Sequence, residues 1–134
     1  MNTHAGVQVF GIPTDHQFTS QDDLIAILLD SLRPANTLHN GDIIVITSKV
    51  VAKCEGRVVT EDQDRESAIR SETKRVVATK VHDRGVTTIV ETHTGLILAA
   101  AGVDASNTEP GTIVLLPVDS DHSARRIREQ IEER

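Results

Sequence analysis

Residues 96–107 read Leu-Ile-Leu-Ala-Ala-Ala-Gly-Val-Asp-Ala-Ser-Asn, an apolar run that thins to small side chains and ends in a polar loop. The run reads as a buried strand, and its alanines and glycine let another backbone or a ligand come close. Asp104, Ser106 and Asn107 then stand past the strand end, where open sheets often place their binding groups. A carboxylate, a hydroxyl and an amide together suit a hard metal ion with a phosphate beside it. The same three residue types are turn formers, and from this stretch alone an Asx-type turn is the better reading.

The chain that carries this stretch has 134 residues, enough for one domain with a modest core. Its net charge of -6 argues against a nucleic-acid surface, which needs clustered Lys and Arg. Phe10 and Phe18 are the only aromatic residues of the Phe, Tyr and Trp class, so the core must be aliphatic. A single cysteine, Cys54, forms no internal disulfide and fits a reducing compartment. No apolar run approaches the roughly 18 residues of a membrane span, and Met1 to Gly6 has no signal-peptide pattern. These features read as a soluble, cytoplasmic protein.

The patterns predict strands near 7–12, 43–47, 86–91, 96–103 and 112–116. Ile43-Ile44-Val45-Ile46 is β-branched throughout and reads as buried. Pro13 stops the first strand, and the loop from Pro13 to Asp15 is a place to contact a nucleotide or an ordinary proline turn. Three helices are expected. The first opens at Ser20 to Asp23, carries Leu24, Ile25, Ile27, Leu28, Leu29 and Leu32 on a broad apolar face, and ends at Pro34. A second, partly exposed helix covers the charged stretch from Glu61 to Lys80, and a third runs from His122 to Arg134. The Thr94-Gly95 turn suggests antiparallel pairing of its two flanking strands. The fold class is α+β, with a mixed, largely antiparallel sheet.

Little chemistry follows from single residues. Thr47-Ser48-Lys49, with Lys53 and Arg57 beyond it, resembles a phosphate-contacting loop in kind, but the glycine-rich run of a P-loop is missing. Solvated Lys and Arg side chains are the ordinary alternative. Cys54 lacks His or Asn partners at a recognisable spacing and reads as a packing residue. The six histidines are scattered, without the i, i+4 or i, i+2 pairs of a transition-metal site.

Four segments taken together are more specific. They are Gly11-Ile12-Pro13, the stretch from Gly41 through Thr47-Ser48-Lys49 to Glu55-Gly56-Arg57, Ala100 to Asn107, and Leu115 to Ala124. In this order they resemble the coenzyme F420:L-glutamate ligase family, with the ligase domain of the actinobacterial two-domain form the nearest in look. The resemblance covers nearly the whole chain. It implies a GTP-dependent enzyme of coenzyme F420 biosynthesis that adds L-glutamate to a deazaflavin precursor. GTP phosphorylates a carboxylate of the coenzyme tail, and the glutamate amine then attacks the acyl phosphate. Mg²⁺ or Mn²⁺ assists, and the family implies a homodimer.

Carried over by position, the resemblance makes Asp104 a metal ligand and Asn107 a nucleotide contact. It places Ser48 and Lys53 on GTP, and Ile12, Pro13, Thr14 and Asp15 in a first nucleotide loop. Some family members carry Asn where this chain has Ala101. Family ligase domains are nearly twice as long, and a later Thr-Asp-Thr segment followed by Gly-Arg supplies further metal ligands. Nothing like it lies between Asp119 and Arg134. Residues 1–134 are therefore expected to be the N-terminal portion of a larger ligase domain, holding about half of the active site and inactive alone. The alternative is a non-catalytic nucleotide-binding or partner-binding protein, or a split subunit, derived from that family.

Overall fold

The structure, a computed structural model, describes residues 6–32, 38–60, 64–83, 85–105 and 111–133. It is α+β, as expected, with antiparallel sheets. In chain order the elements are α1 (Leu24–Leu32), α2 (Ser48–Cys54), β1 (Val58–Thr60), α3 (Arg65–Glu72), β2 (Thr73–His82), β3 (Gly85–Thr92), β4 (Ile97–Ala99), β5 (Thr112–Val114) and α4 (Ser120–Glu132). A short helix, α2, joins the three expected ones.

Three of the helices begin on an aspartate. Asp23 Oδ1 accepts from the amides of Ile25 and Ala26, so α1 starts just after the expected acidic cluster. Asp64 accepts from Ser67 N and Asp119 from His122 N, each at 2.8 Å. Such a cap satisfies donors that a helix start leaves without partners, and contributes about 1 kcal/mol. Pro34, the expected stop of α1, lies outside the described residues.

The expected helix over 61–80 ends instead at Glu72. Thr73, Val76, Val77, Thr79 and Val81 are β-branched, and β2 uses them to pair with β3. Two register shifts break that ladder, one between Thr73 and Arg75 and one between Val76 and Ala78. The first puts Lys74 and Arg75 together over one cross-strand partner, as a bulge does. Lys74 Nζ is 2.9 Å and Arg75 Nε 2.6 Å from the Glu91 carboxylate.

The strand expected at 96–103 is real but short. Ile97 to Ala99 pairs antiparallel with β3, and Ile97 is 58% exposed, so this is an edge strand rather than a central one. It stops because the backbone turns left-handed: φ is 50° at Ala100, 53° at Ala101 and 71° at Gly102. After this tight turn the chain meets β5. Asp104 N donates to Val114 O at 3.0 Å, and Val114 N donates to Asp104 O at 2.8 Å. β5 also pairs with β1, which completes a second small sheet.

Two other expected strands form no ladder. Residues 7–12 and 43–47 are not strands, and among the described residues their one backbone link is at Thr47 O, which accepts from Val50 N and Val51 N at the start of α2. Val7, Val9, Ile43 and Val45 are nearly fully exposed. Their sequences suit a strand, but a strand needs a neighbour to hold its N–H and C=O groups.

The main core gathers Ala68 of α3, Val90 of β3, Ala101 and Val103 of the turn, and Ile113 and Leu115 at β5. It is aliphatic, as the scarcity of aromatics requires. Arg57 closes its edge. Its Nε donates to Leu116 O at 3.0 Å, and its Nη2 lies 2.8 Å from Glu72. The hydroxyl of buried Ser123 of α4 lies within hydrogen-bond reach of both Glu55, at the end of α2, and Asp119 O, and its one proton serves these two acceptors.

Candidate functional site

The two most specific sequence segments meet in space. α2 carries Ser48, Lys49 and Lys53, and the loop after the left-handed turn carries Asp104. Lys49 Nζ lies 2.7 Å from Asp104 Oδ2, with both side chains about one-third exposed. Lys53 follows Lys49 by four residues, so both sit on one face of the helix, one turn apart. The site is thus a carboxylate and two ammonium groups at an accessible edge.

Local sequence explains the placement. Gly56 has φ of 70° and ends α2. Its N–H donates to Lys53 O at 3.0 Å, while Arg57 N–H donates to Ala52 O at 2.8 Å. This is a Schellman closure, which needs a left-handed residue at that position. The Glu55-Gly56-Arg57 triplet therefore stops the helix, and Arg57 anchors it to β5 through Leu116. On the other side, Val103 is buried and Asp104 is tied to Val114 on both backbone groups. Core and ladder hold Asp104 in place, and its side chain projects from a fixed backbone.

The other expected contacts fare differently. Ser48 is the first residue of α2, exposed and adjacent to Lys49. Residues 12–15 form an exposed loop whose hydrogen bond is local, from His16 N to Thr14 Oγ1 at 3.1 Å. Asn107 and Ser106 lie outside the described residues. Lys49 is the residue that sequence reasoning passed over. It stood in the quoted motif, but only the fold reveals that it reaches Asp104.

The donor set for a metal is thin. Among the described residues no group of three His, Cys, Asp or Glu side chains is placed to hold an ion. Asp104 supplies one carboxylate, whereas Mg²⁺ takes six oxygen ligands and draws most of them from water and substrate phosphates. The described residues thus do not by themselves complete a metal site. Cys54, at the end of α2, is half-buried, and burial pushes its thiol up from the usual value. That disfavours the reactive thiolate and fits a packing role.

The sequence profile of the family described as "F420-0:Gamma-glutamyl ligase" matches residues 15–134. The chain belongs to this ligase family. Among its relatives, the coenzyme F420:L-glutamate ligase of Methanopyrus kandleri is 29% identical over an alignment of 136 positions, gaps included, that covers 91% of this chain and 52% of the relative. The protein of the same name from Halorubrum lacusprofundi is 28% identical over 144 positions, covering 93% and 56%. That of Methanothermobacter thermautotrophicus is 28% identical over 147 positions, covering 96% and 57%. The chain therefore spans about half the length of the curated relatives it matches. Both Lys49 and Asp104 lie within the matched part of the ligase family's sequence. No helix among the described residues is long and apolar enough to cross a membrane.

Proposed function

We propose that this chain forms the nucleotide-handling part of a GTP-dependent ligase that joins L-glutamate to the precursor of the deazaflavin coenzyme F420. The observation that carries the reading is the meeting of α2 with the Asp104 loop through Lys49, inside a stretch matched by the ligase family.

The chemistry needs an activated acyl group, since a free carboxylate is a poor acyl donor. A carboxylate oxygen of the coenzyme tail attacks the γ-phosphorus of GTP, the bond to the β-phosphate oxygen breaks, and GDP leaves. The acyl phosphate then meets the glutamate amine. The amine attacks the carbonyl carbon, inorganic phosphate departs, the nitrogen loses a proton, and an amide remains. Positioning and charge compensation are what such a site contributes.

Lys49 and Lys53 present two ammonium groups one helical turn apart, suited to phosphate oxygens as point charges. The hydroxyl of Ser48 donates to the same oxygens. The loop of Ile12, Pro13, Thr14 and Asp15 covers the nucleotide, and the amide of Asn107 contacts it. Asp104 would supply one ligand to a Mg²⁺ or Mn²⁺ ion, whose charge would offset that of the phosphates. With Lys49 on the phosphates of a bound nucleotide, the Asp104 carboxylate would be left to such an ion. A cytoplasmic location and a homodimer belong to this reading.

The test is a chimera in which residues 15–134 replace the aligned part of the Methanopyrus kandleri ligase. With GTP, Mn²⁺ and L-glutamate, mass spectrometry is expected to show the precursor gaining glutamate. A folded chimera that adds none overturns the reading. A second reading keeps nucleotide binding without catalysis, and the incomplete metal donor set favours it. It predicts GTP binding by this chain and no product from the chimera.

A further inference from the structure

Residues 43–46 are an edge without a ladder. Ile43, Ile44, Val45 and Ile46 all carry β-branched side chains. Their exposure alternates as in a strand. Ile43 is 88% and Val45 89% exposed, while Ile44 and Ile46 are half-buried. No backbone hydrogen bond joins these four residues to another segment among the described residues. An apolar edge of this kind is a template for another strand.

Beneath the edge runs a groove of about 1050 Å³. Leu32 of α1, Val51 of α2, and Ile127 and Ile131 of α4 line it beside the two half-buried isoleucines. The thin apolar stripe of α4, on a helix otherwise dominated by charge, faces this space. Groove and edge together are a largely apolar surface, with Asp42, Ser120, Arg128 and Glu132 among its polar lining. Surfaces of that sort mark an interaction site.

The comparisons indicate what covers it. Residues 43–46 lie inside the part matched by the ligase family, so the edge belongs to the shared sequence. The relatives carry nearly as much sequence again, since this chain covers 52% to 57% of their length. A longer chain buries a larger fraction of its surface, and a surface left bare by half of the sequence falls to the other half to cover. We infer that residues 43–46 and the groove beneath them seat the complementary half of the ligase fold, which adds a strand to this edge. The inference rests on family membership and not on the proposed GTP chemistry.

The experiment reads backbone amides and no ligation, so its failure is separate from failure of the enzymatic reading. Hydrogen exchange is followed at residues 43–46 in the 134-residue chain, alone and mixed with the part of the Methanopyrus kandleri ligase outside the 136 aligned positions. Mixing is expected to slow these amides by about tenfold or more, because ladder bonds must open before exchange. An Ile43→Lys, Val45→Lys double variant is expected to lose that protection while melting as the parent does, since both side chains already face water. Absence of protection on mixing, or equal protection in the variant, overturns the inference. So does protection that rises with the concentration of the chain alone, which would seat a second copy there.

Discussion

Lys49 Nζ and Asp104 Oδ2 stand 2.7 Å apart, linking the helix after residues 43–46 to the loop that follows the left-handed turn. The pair is partly exposed, so its contribution to stability is small, about 0–1 kcal/mol. Lys49→Ala is therefore expected to leave the denaturant midpoint almost unchanged while weakening GTP binding by about tenfold, the effect of losing one charge-assisted contact of about 1.4 kcal/mol. Chemical denaturation and calorimetry on the same variant separate the two roles. A large stability loss with unchanged GTP affinity would make the pair structural.

Gly102 has φ of 71°, and a Cβ there would lie 2.8 Å from Leu116 Cδ1. Gly102→Ala meets both strain and a collision next to the buried core. We expect a loss of about 1–3 kcal/mol, measured by denaturant unfolding. Ala100 has φ of 50° without a glycine's freedom, and the left-handed region costs an L-residue about 1–2 kcal/mol. Ala100→Gly is expected to stabilise by up to about 1 kcal/mol. Opposite signs at these neighbouring positions are the expected outcome, and matching signs contradict the account of the turn.

Gly56 closes α2 with φ of 70°. An added Cβ has room, with Ser20 Cβ at 3.7 Å, so Gly56→Ala isolates the backbone cost. The expected loss is about 1 kcal/mol by denaturant unfolding, and Gly56→Asn, which tolerates this conformation better, should lose less. Equal losses in the two variants would contradict the closure described above.

Asp22, Asp64 and Glu91 have carboxyls held below their ordinary values. The Thr19 amide is the main cause at Asp22, the Ser67 amide at Asp64, and the Lys74 ammonium at Glu91. A carboxyl that is more acidic when folded binds fewer protons in the native state than in the unfolded one. The stability it adds is complete above its unfolded value, near 4, and is lost as pH falls through the lower folded value. Thermal melts are expected to decline as pH drops below about 4, and Glu91→Gln should lessen that slope. A melting temperature that stays level down to about pH 2 would contradict this.

The sequence made the helix starts at Asp23 and near Asp119 legible because a cap acts within one turn of its own chain, whereas the start at Asp64 lay inside the stretch expected to be helical. The hairpin at Thr94-Gly95 was legible for the same reason. The helix expected through Lys80 failed because charge pattern was weighed above the β-branched residues, and pairing with β3 decides the matter. The strands expected at 7–12 and 43–47 have strand-like sequences but no paired strand among the described residues, which no local pattern reveals. At the site, Asp104 and Lys53 were read from a motif. The contact between Lys49 and Asp104 depends on how β5 holds the Asp104 loop, and that is a property of the fold.

The most direct measurement is calorimetric titration of GTP, with Mn²⁺ present, into the 134-residue chain and its Lys53→Ala and Asp104→Ala variants. The account predicts saturable heat for the parent chain. It predicts affinity lowered by about tenfold in Lys53→Ala, and loss of the Mn²⁺ dependence in Asp104→Ala. Absence of heat from the parent, or equal binding by all three proteins, would contradict a nucleotide site built from α2 and the Asp104 loop.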